Sequence, residues 1–156
     1  ILRLFLNESD LRVNIDRVID ACIKFRIECF DESGNKRFQN TARAIGNAIE
    51  RFSGGRITHD LAISQGAAIT AKAGAKLKIF SENISARIIN ALKYNKLPFS
   101  YMGDLNAEII SREIMRASKA HDSRIKFALP IDNGNYILRE MDSHELESFI
   151  YAGITA

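Results

Sequence analysis

Cysteine is scarce in this chain: Cys22 and Cys29 are the only two in 156 residues, seven positions apart in a stretch of apolar and charged residues. A secreted disulfide scaffold needs an even framework of half-cystines, so that class is excluded and both side chains read as thiols of a reducing compartment. Proline occurs twice and glycine nine times, too seldom for a collagenous or Pro/Gly-rich disordered chain. No apolar run approaches the ~18 to 20 residues that cross a bilayer, and no charged-then-apolar leader with a small-residue cleavage site opens the chain. The sequence begins at Ile1, without methionine, which reads as processing or as a piece of a longer chain.

What is present is ordinary globular material, 46% hydrophobic and 26% charged. A chain of this length buries roughly 70% of the surface it exposes when unfolded, enough for one core without staples. The net charge of +3 conceals a segregation. Residues 1–32 carry 5 basic and 7 acidic groups, residues 33–96 carry 11 and 3, and residues 97–156 carry 6 and 9. A central block of this sign is a footprint for a polyanion, or a surface neutralised by the chain's own acidic flanks.

Periodicity divides the chain into short elements. Leu2, Leu4 and Leu6 alternate as a short strand, and Leu11, Ile15, Val18, Ile19, Cys22 and Ile23 recur at helical steps behind Ser9. The period drops to two over residues 25–30, predicting a strand, and Asp31 to Asn35 supply a turn with a hairpin-like return through Phe38. Asn40 or Thr41 caps a helix whose stripe is Ala44, Ile45, Ala48, Ile49 and Phe52, ended by Gly54-Gly55. Thr58 opens a weaker helix, interrupted by Gly66 and stopped near Gly74. Residues 75–80 alternate charge and bulk as a half-buried strand, with Leu77 and Ile79 on one face. Ser81 starts the next helix, which ends before Pro98, and Asp104 caps another through Ala117. Residues 125–130 and 136–138 form a hairpin across Asp132-Asn-Gly-Asn135, and Ser143 begins a closing helix. The expected fold is therefore α+β: a single compact domain over 1–156, four to five helices packed on a small mixed or antiparallel sheet with a C-terminal β-hairpin.

Two constellations offer chemistry. Arg56, Lys72, Lys76, Lys78, Arg87 and Lys93 fall on exposed faces of the basic block, and the segments Gly54-Gly-Arg56 and Lys72-Ala-Gly-Ala-Lys76 set backbone amides beside cations. They predict binding of a phosphate-rich or acidic partner: a nucleic acid, a nucleotide or an acidic protein surface. Neither segment has the spacing of a Walker loop or of a dinucleotide fingerprint. The second is a thiol, Cys22 or Cys29, with His121 and Asp132. Both thiols occupy apolar positions, where cysteine is usually an inert hydrophobe. No HExxH or CxxC occurs and the three histidines are far apart, so neither a metal nor a cofactor is expected.

The order His121, Arg124, His144, Tyr151, with Arg43 and Lys78 upstream, resembles that of tyrosine recombinases, in which cations and histidine stabilise the transition state of attack by tyrosine. Against it, Arg124 opens a predicted strand where that family has a helix. Asp132-Asn-Gly-Asn-Tyr136 resembles the Asp-containing turn of bacterial effector cysteine proteases, which implies a Cys/His/Asp protease or deamidase delivered into a host cytoplasm. The leading expectation is a binding domain working through its basic centre, with that protease or a plain protein-interaction module as alternatives.

Overall fold

The computed structural model describes residues 23–24, 27–28, 38–118, 124–131 and 135–156. Within them, five labelled helices pack on one three-stranded mixed sheet. Strand β1 (Gln39–Asn40) leads into helix α1 (Thr41–Phe52), followed by α2 (His59–Lys76), α3 (Glu82–Tyr94), α4 (Ala107–Ser118), β2 (Arg124–Pro130), β3 (Tyr136–Asp142) and α5 (Ser143–Ile154). This is the α+β architecture that the periodicity predicts.

Helix α1 begins where expected, since Asn40 Oδ1 accepts from the Arg43 amide at 3.0 Å and so satisfies a donor of the open first turn. Its stripe of Ala44, Ile45, Ala48 and Ile49 is buried. Gly54 and Gly55 then take φ of +60° and +83°, turning the chain toward α2.

Helix α2 departs from the sequence reading. It runs unbroken through both Gly66 and Gly74, because each glycine admits a neighbour that a side chain would exclude. A Cβ on Gly66 would stand 2.1 Å from the Ala42 carbonyl oxygen of α1, and one on Gly74 would stand 2.0 Å from the Phe80 ring. A helix dense in small residues can thus be buried on several sides, against α1, α3 and α5.

The strand expected over residues 75–80 does not form. Ala75 and Lys76 complete α2, and the chain closes in a Schellman turn, with Ile79 N donating to Gly74 O at 2.8 Å and Lys78 N to Ala75 O at 3.0 Å. Lys78 holds the left-handed position at φ 54°. Leu77 is exposed, while Phe80 folds back onto Gly74. Alternation of charge and bulk is satisfied equally by a helix end and a returning turn, and the seat for the Phe80 ring decides between them. Helix α3 ends in the same way, with Lys96 at φ 56° and Leu97 N donating to Leu92 O at 2.9 Å.

The start of α4 is also corrected. Asn106 Oδ1, not Asp104, accepts from the amide of Ile109 at 2.9 Å, so the helix starts two residues later than expected. Ile27 and Glu28 are helical where a strand was expected over 25–30, whose other residues lie outside the described ones. The first strand, and the first helix up to Cys22, lie outside the described residues.

The hairpin forms. Strand β2 pairs antiparallel with β3 from Arg124↔Asp142 to Pro130↔Tyr136, and β3 runs four residues beyond its expected end. The segment after Phe38 adds β1 parallel to β2, Gln39 opposite Phe127, and Thr41 Oγ1 ties it down by donating to Ala128 O at 2.8 Å in the interior. Asp142 caps α5 through a reciprocal pair: Oδ1 accepts from Glu145 N at 2.9 Å and the Glu145 carboxylate accepts from Asp142 N at 3.1 Å. The main core joins α1, α2, α4, α5 and the inner face of β2 through Ile45, Ile69, Ile110, Phe127 and Phe149, and a second cluster fills the α2–α3 contact around Phe80 and Ile84. No helix among the described residues is long and apolar enough to cross a membrane.

Candidate functional site

The turn between α1 and α2 is built around one buried hydroxyl. Ser53 Oγ donates to Glu50 O at 2.7 Å and accepts from Ile57 N at 3.2 Å, while its carbonyl accepts from Arg56 Nε at 2.9 Å. Opposite this turn lies the connection from α3 to α4, pinned when Gln65 of α2 accepts the Met102 amide at 3.1 Å. The Tyr101 hydroxyl accepts from Leu105 N at 2.9 Å, and Gly103 leaves room for the ring, since a Cβ there would sit 2.5 Å from that hydroxyl. Burial, with the charge of Asp104 adding to it, pushes the Tyr101 phenol up against the opposing bond from Leu105, so it stays neutral.

Between the two loops runs an open groove of about 220 Å³. Ile49, Ile57 and Leu105 give it an apolar floor, Phe52 and Met102 stand on its rim, and Arg56 and Asp104 add one charge of each sign. Across the same α1–α2 turn, His59 Nδ1 lies 2.6 Å from Glu50 Oε2, joining the start of α2 to the last turn of α1. The carboxylate fixes the imidazole through Nδ1 and leaves Nε2 as the nitrogen that can exchange a proton or coordinate a metal. A metal held there would draw its other ligands from elsewhere, because among the described residues no three His, Cys, Asp or Glu side chains gather. Between α1 and α4, the almost fully buried Glu113 of α4 receives Arg51 of α1 at 2.8 Å and Arg116 at 2.9 Å. The hydrogen bonds from Arg116, reinforced by the charges of Arg116 and Arg51, hold its carboxyl below the usual range despite burial.

The residues singled out in the sequence are dispersed. Arg56 lines the groove in the turn before α2, whereas Lys76 ends that 18-residue helix, whose length is about 27 Å. Lys72 Nζ donates to Ala156 O and Lys76 Nζ to Thr155 Oγ1, both at 3.0 Å, so these cations serve the end of α5. Lys78 occupies its left-handed turn position, Arg87 lies within α3, and Lys93 stands 4.9 Å over the Phe99 ring. Cys22, Cys29, His121 and Asp132 lie outside the described residues. Of the recombinase-like set, Arg124 opens a strand and is bound to Asp142 and Glu145, and Tyr151 is exposed on α5. The Glu50–His59 pair went unread because each residue alone fits a solvated helix end. Their placement on either side of a glycine turn was the available signal.

The fold defines a helix-dominated α+β domain carrying an open groove and a carboxylate–imidazole pair that joins α1 to α2. Residues 6–120 match the family described as 3-dehydroquinate synthase C-terminal, and the chain belongs to that family. It is 32% identical over 141 residues to the 3-dehydroquinate synthase of Thermococcus kodakarensis, covering 88% of this chain and 40% of that protein. The enzyme of the same name from Pyrococcus abyssi is 29% identical over 139 residues, covering 86% and 40%, and that from Crocosphaera subtropica is 29% identical over 110 residues, covering 70% and 30%. The chain thus spans less than half the length of these relatives.

Membership of a synthase family overturns the functional expectations drawn from charge and from the thiols. Binding of nucleic acid or of an acidic protein surface as the chain's function, the effector-type Cys/His/Asp protease or deamidase, and the plain interaction module are all corrected by this match. The physical reason for the first is that charge alone specifies a partner weakly: a positive block in the sequence is also what a chain needs to bond its own carbonyls, carboxylates and rings.

Proposed function

We propose that this chain is the C-terminal part of a 3-dehydroquinate synthase, contributing side chains to that enzyme's active site. The observation that carries the reading is the family match over most of the chain, together with 32% identity to a curated synthase across 88% of it. Within the described residues, the Glu50–His59 pair is the group best built for chemistry. Its carboxylate engages Nδ1 of the ring, and both side chains are partly exposed, so the pair is open to a bound molecule. Belonging to a synthase family favours work in the cytoplasm and lends no support to delivery into a host.

The test is formation of 3-dehydroquinate by the protein as the cell makes it, with any chain joined to or bound by this one. Activity is expected, with His59→Ala losing on the order of 10²-fold or more and Glu50→Gln a smaller factor, as for a catalytic group and its orienting partner. A preparation that is folded and inactive, or a His59→Ala protein with full activity, refutes the assignment.

A further inference from the structure

The polar face of α1 carries side chains to which the fold gives no task. Arg43, Asn47 and Glu50 recur at steps of four and three, so they stand one above another on a single stripe of the helix. Glu50 ends the stripe, bound to His59. Arg43 and Asn47 are exposed, and among the described residues neither side chain has an ion pair or a hydrogen bond. The other arginine of this helix, Arg51, is by contrast committed to Glu113. Helix stability does not account for Arg43. The first turn of α1 holds no acidic residue, and a cation in that turn faces the positive end of the helix dipole. The Asn40 cap takes the backbone amide of Arg43 and leaves its guanidinium uncommitted.

From this stripe we infer that Arg43 binds the carboxylate of 3-dehydroquinate, a substrate-specificity contact that rests on the proposed function. By its name that product is a hydroxylated cyclohexanone carboxylate: one anionic group, one ketone and neutral hydroxyls on a six-membered ring. A guanidinium is planar and meets both oxygens of a carboxylate at once, which fixes the direction of the ligand as well as its charge. Arg43 and Glu50 are seven residues apart, a rise of about 10.5 Å along the axis. A ring whose carboxylate meets Arg43 therefore carries its far side toward Glu50 and His59. Asn47 lies between them, about one turn from each, and its amide offers both a donor and an acceptor to ring hydroxyls. A carboxylate held by Arg43 also meets the positive start of the helix, which turns an unfavourable placement of the cation into a favourable one. The anion is thus gripped at one end of the stripe while the reactive pair waits at the other, so binding itself orients the ring.

Arg43→Gln deletes the charge at an exposed position, and a thermal melt checks that the fold is kept. The protein as the cell makes it, with any chain joined to or bound by it, is titrated calorimetrically with 3-dehydroquinate and with its carboxamide analogue, in which a neutral group of nearly the same shape replaces the anion. Arg43→Gln is expected to bind 3-dehydroquinate on the order of 10- to 100-fold more weakly than the parent, the range of a hydrogen bond to a charged group, with Arg43→Lys between the two. Parent and Arg43→Gln are expected to bind the carboxamide alike, a result that a merely structural role for Arg43 would not give. Equal affinity of parent and Arg43→Gln for 3-dehydroquinate overturns the inference. So does an equal loss toward both ligands, or a parent that does not bind 3-dehydroquinate. Synthase turnover on the same preparations separates the two readings: an active parent whose Arg43→Gln variant binds the product unchanged removes the carboxylate contact alone, and a parent that binds 3-dehydroquinate through Arg43 without forming it removes the assigned activity alone.

Discussion

Replacing Gly66 by alanine tests the packing on which this architecture depends. An added methyl at Gly66 would lie 2.1 Å from the carbonyl oxygen of Ala42 and 2.7 Å from the amide nitrogen of Gly46, where real contacts stay beyond 3.0 Å. Both obstacles are backbone atoms of α1, so no rotamer change relieves them, and the helices must separate by about 1 Å. A gap of that size forfeits about a quarter to a half of the dispersion energy of each facing contact. Ile45, Ile49, Ala62 and Ile69, all at or near zero exposure in the same core, lose partners together. Overpacking of this kind costs about 1–3 kcal/mol and occasionally more, against which alanine returns about 1 kcal/mol of helix propensity. With rigid backbone on both sides the upper end applies, and a net loss of about 2 kcal/mol follows, a fall in Tm of roughly 4–8 °C for a chain of this size. Urea titration followed by circular dichroism measures it, with an unchanged denaturant slope confirming that the folded state is the one affected. Gly54→Ala is the control, since nothing lies within 4 Å of its Cβ and only the positive φ resists, at a cost of about 1 kcal/mol. Gly66→Ala proving as stable as the parent, or no worse than Gly54→Ala, would refute the close α1–α2 crossing.

The two Schellman turns give the opposite sign: Lys78→Gly and Lys96→Gly each remove a side chain from a left-handed residue and should raise stability by up to about 1 kcal/mol in the same titration. Glu113, whose carboxyl is held low in the folded protein by Arg116 and Arg51, binds protons less readily folded than unfolded. Its stabilising contribution is therefore complete above the ordinary glutamate value of about 4.3 and is lost as pH falls through the lower folded value, so the acid limb of a stability–pH curve should flatten in Glu113→Gln. Asp142→Ala deletes the cap of α5 and should cost about 1 kcal/mol by thermal melting, with Asp142→Asn recovering most of it. An Asp142→Ala protein as stable as the parent would show the cap to be redundant.

Local chemistry in the sequence settled the elements whose signal is complete within a dozen residues. The stripe of α1 behind its Asn40 cap, the start of α3 at Ser81 and the paired runs around residues 125–138 fall where local spacing put them. The charge segregation was equally visible, but what those cations do was not, because Lys72 and Lys76 meet the end of α5 some 80 residues away. Tertiary contact alone decided the course of α2, whose small residues lack a clear polar face because the helix is packed against three others. It decided residues 75–80 as well, where the Phe80 ring claims the space over Gly74 and ends any strand. The groove and the Glu50–His59 pair belong to the same class: they exist because two glycines reverse the chain and a glutamine in α2 anchors a loop 37 residues further on, a distance over which periodicity carries no information.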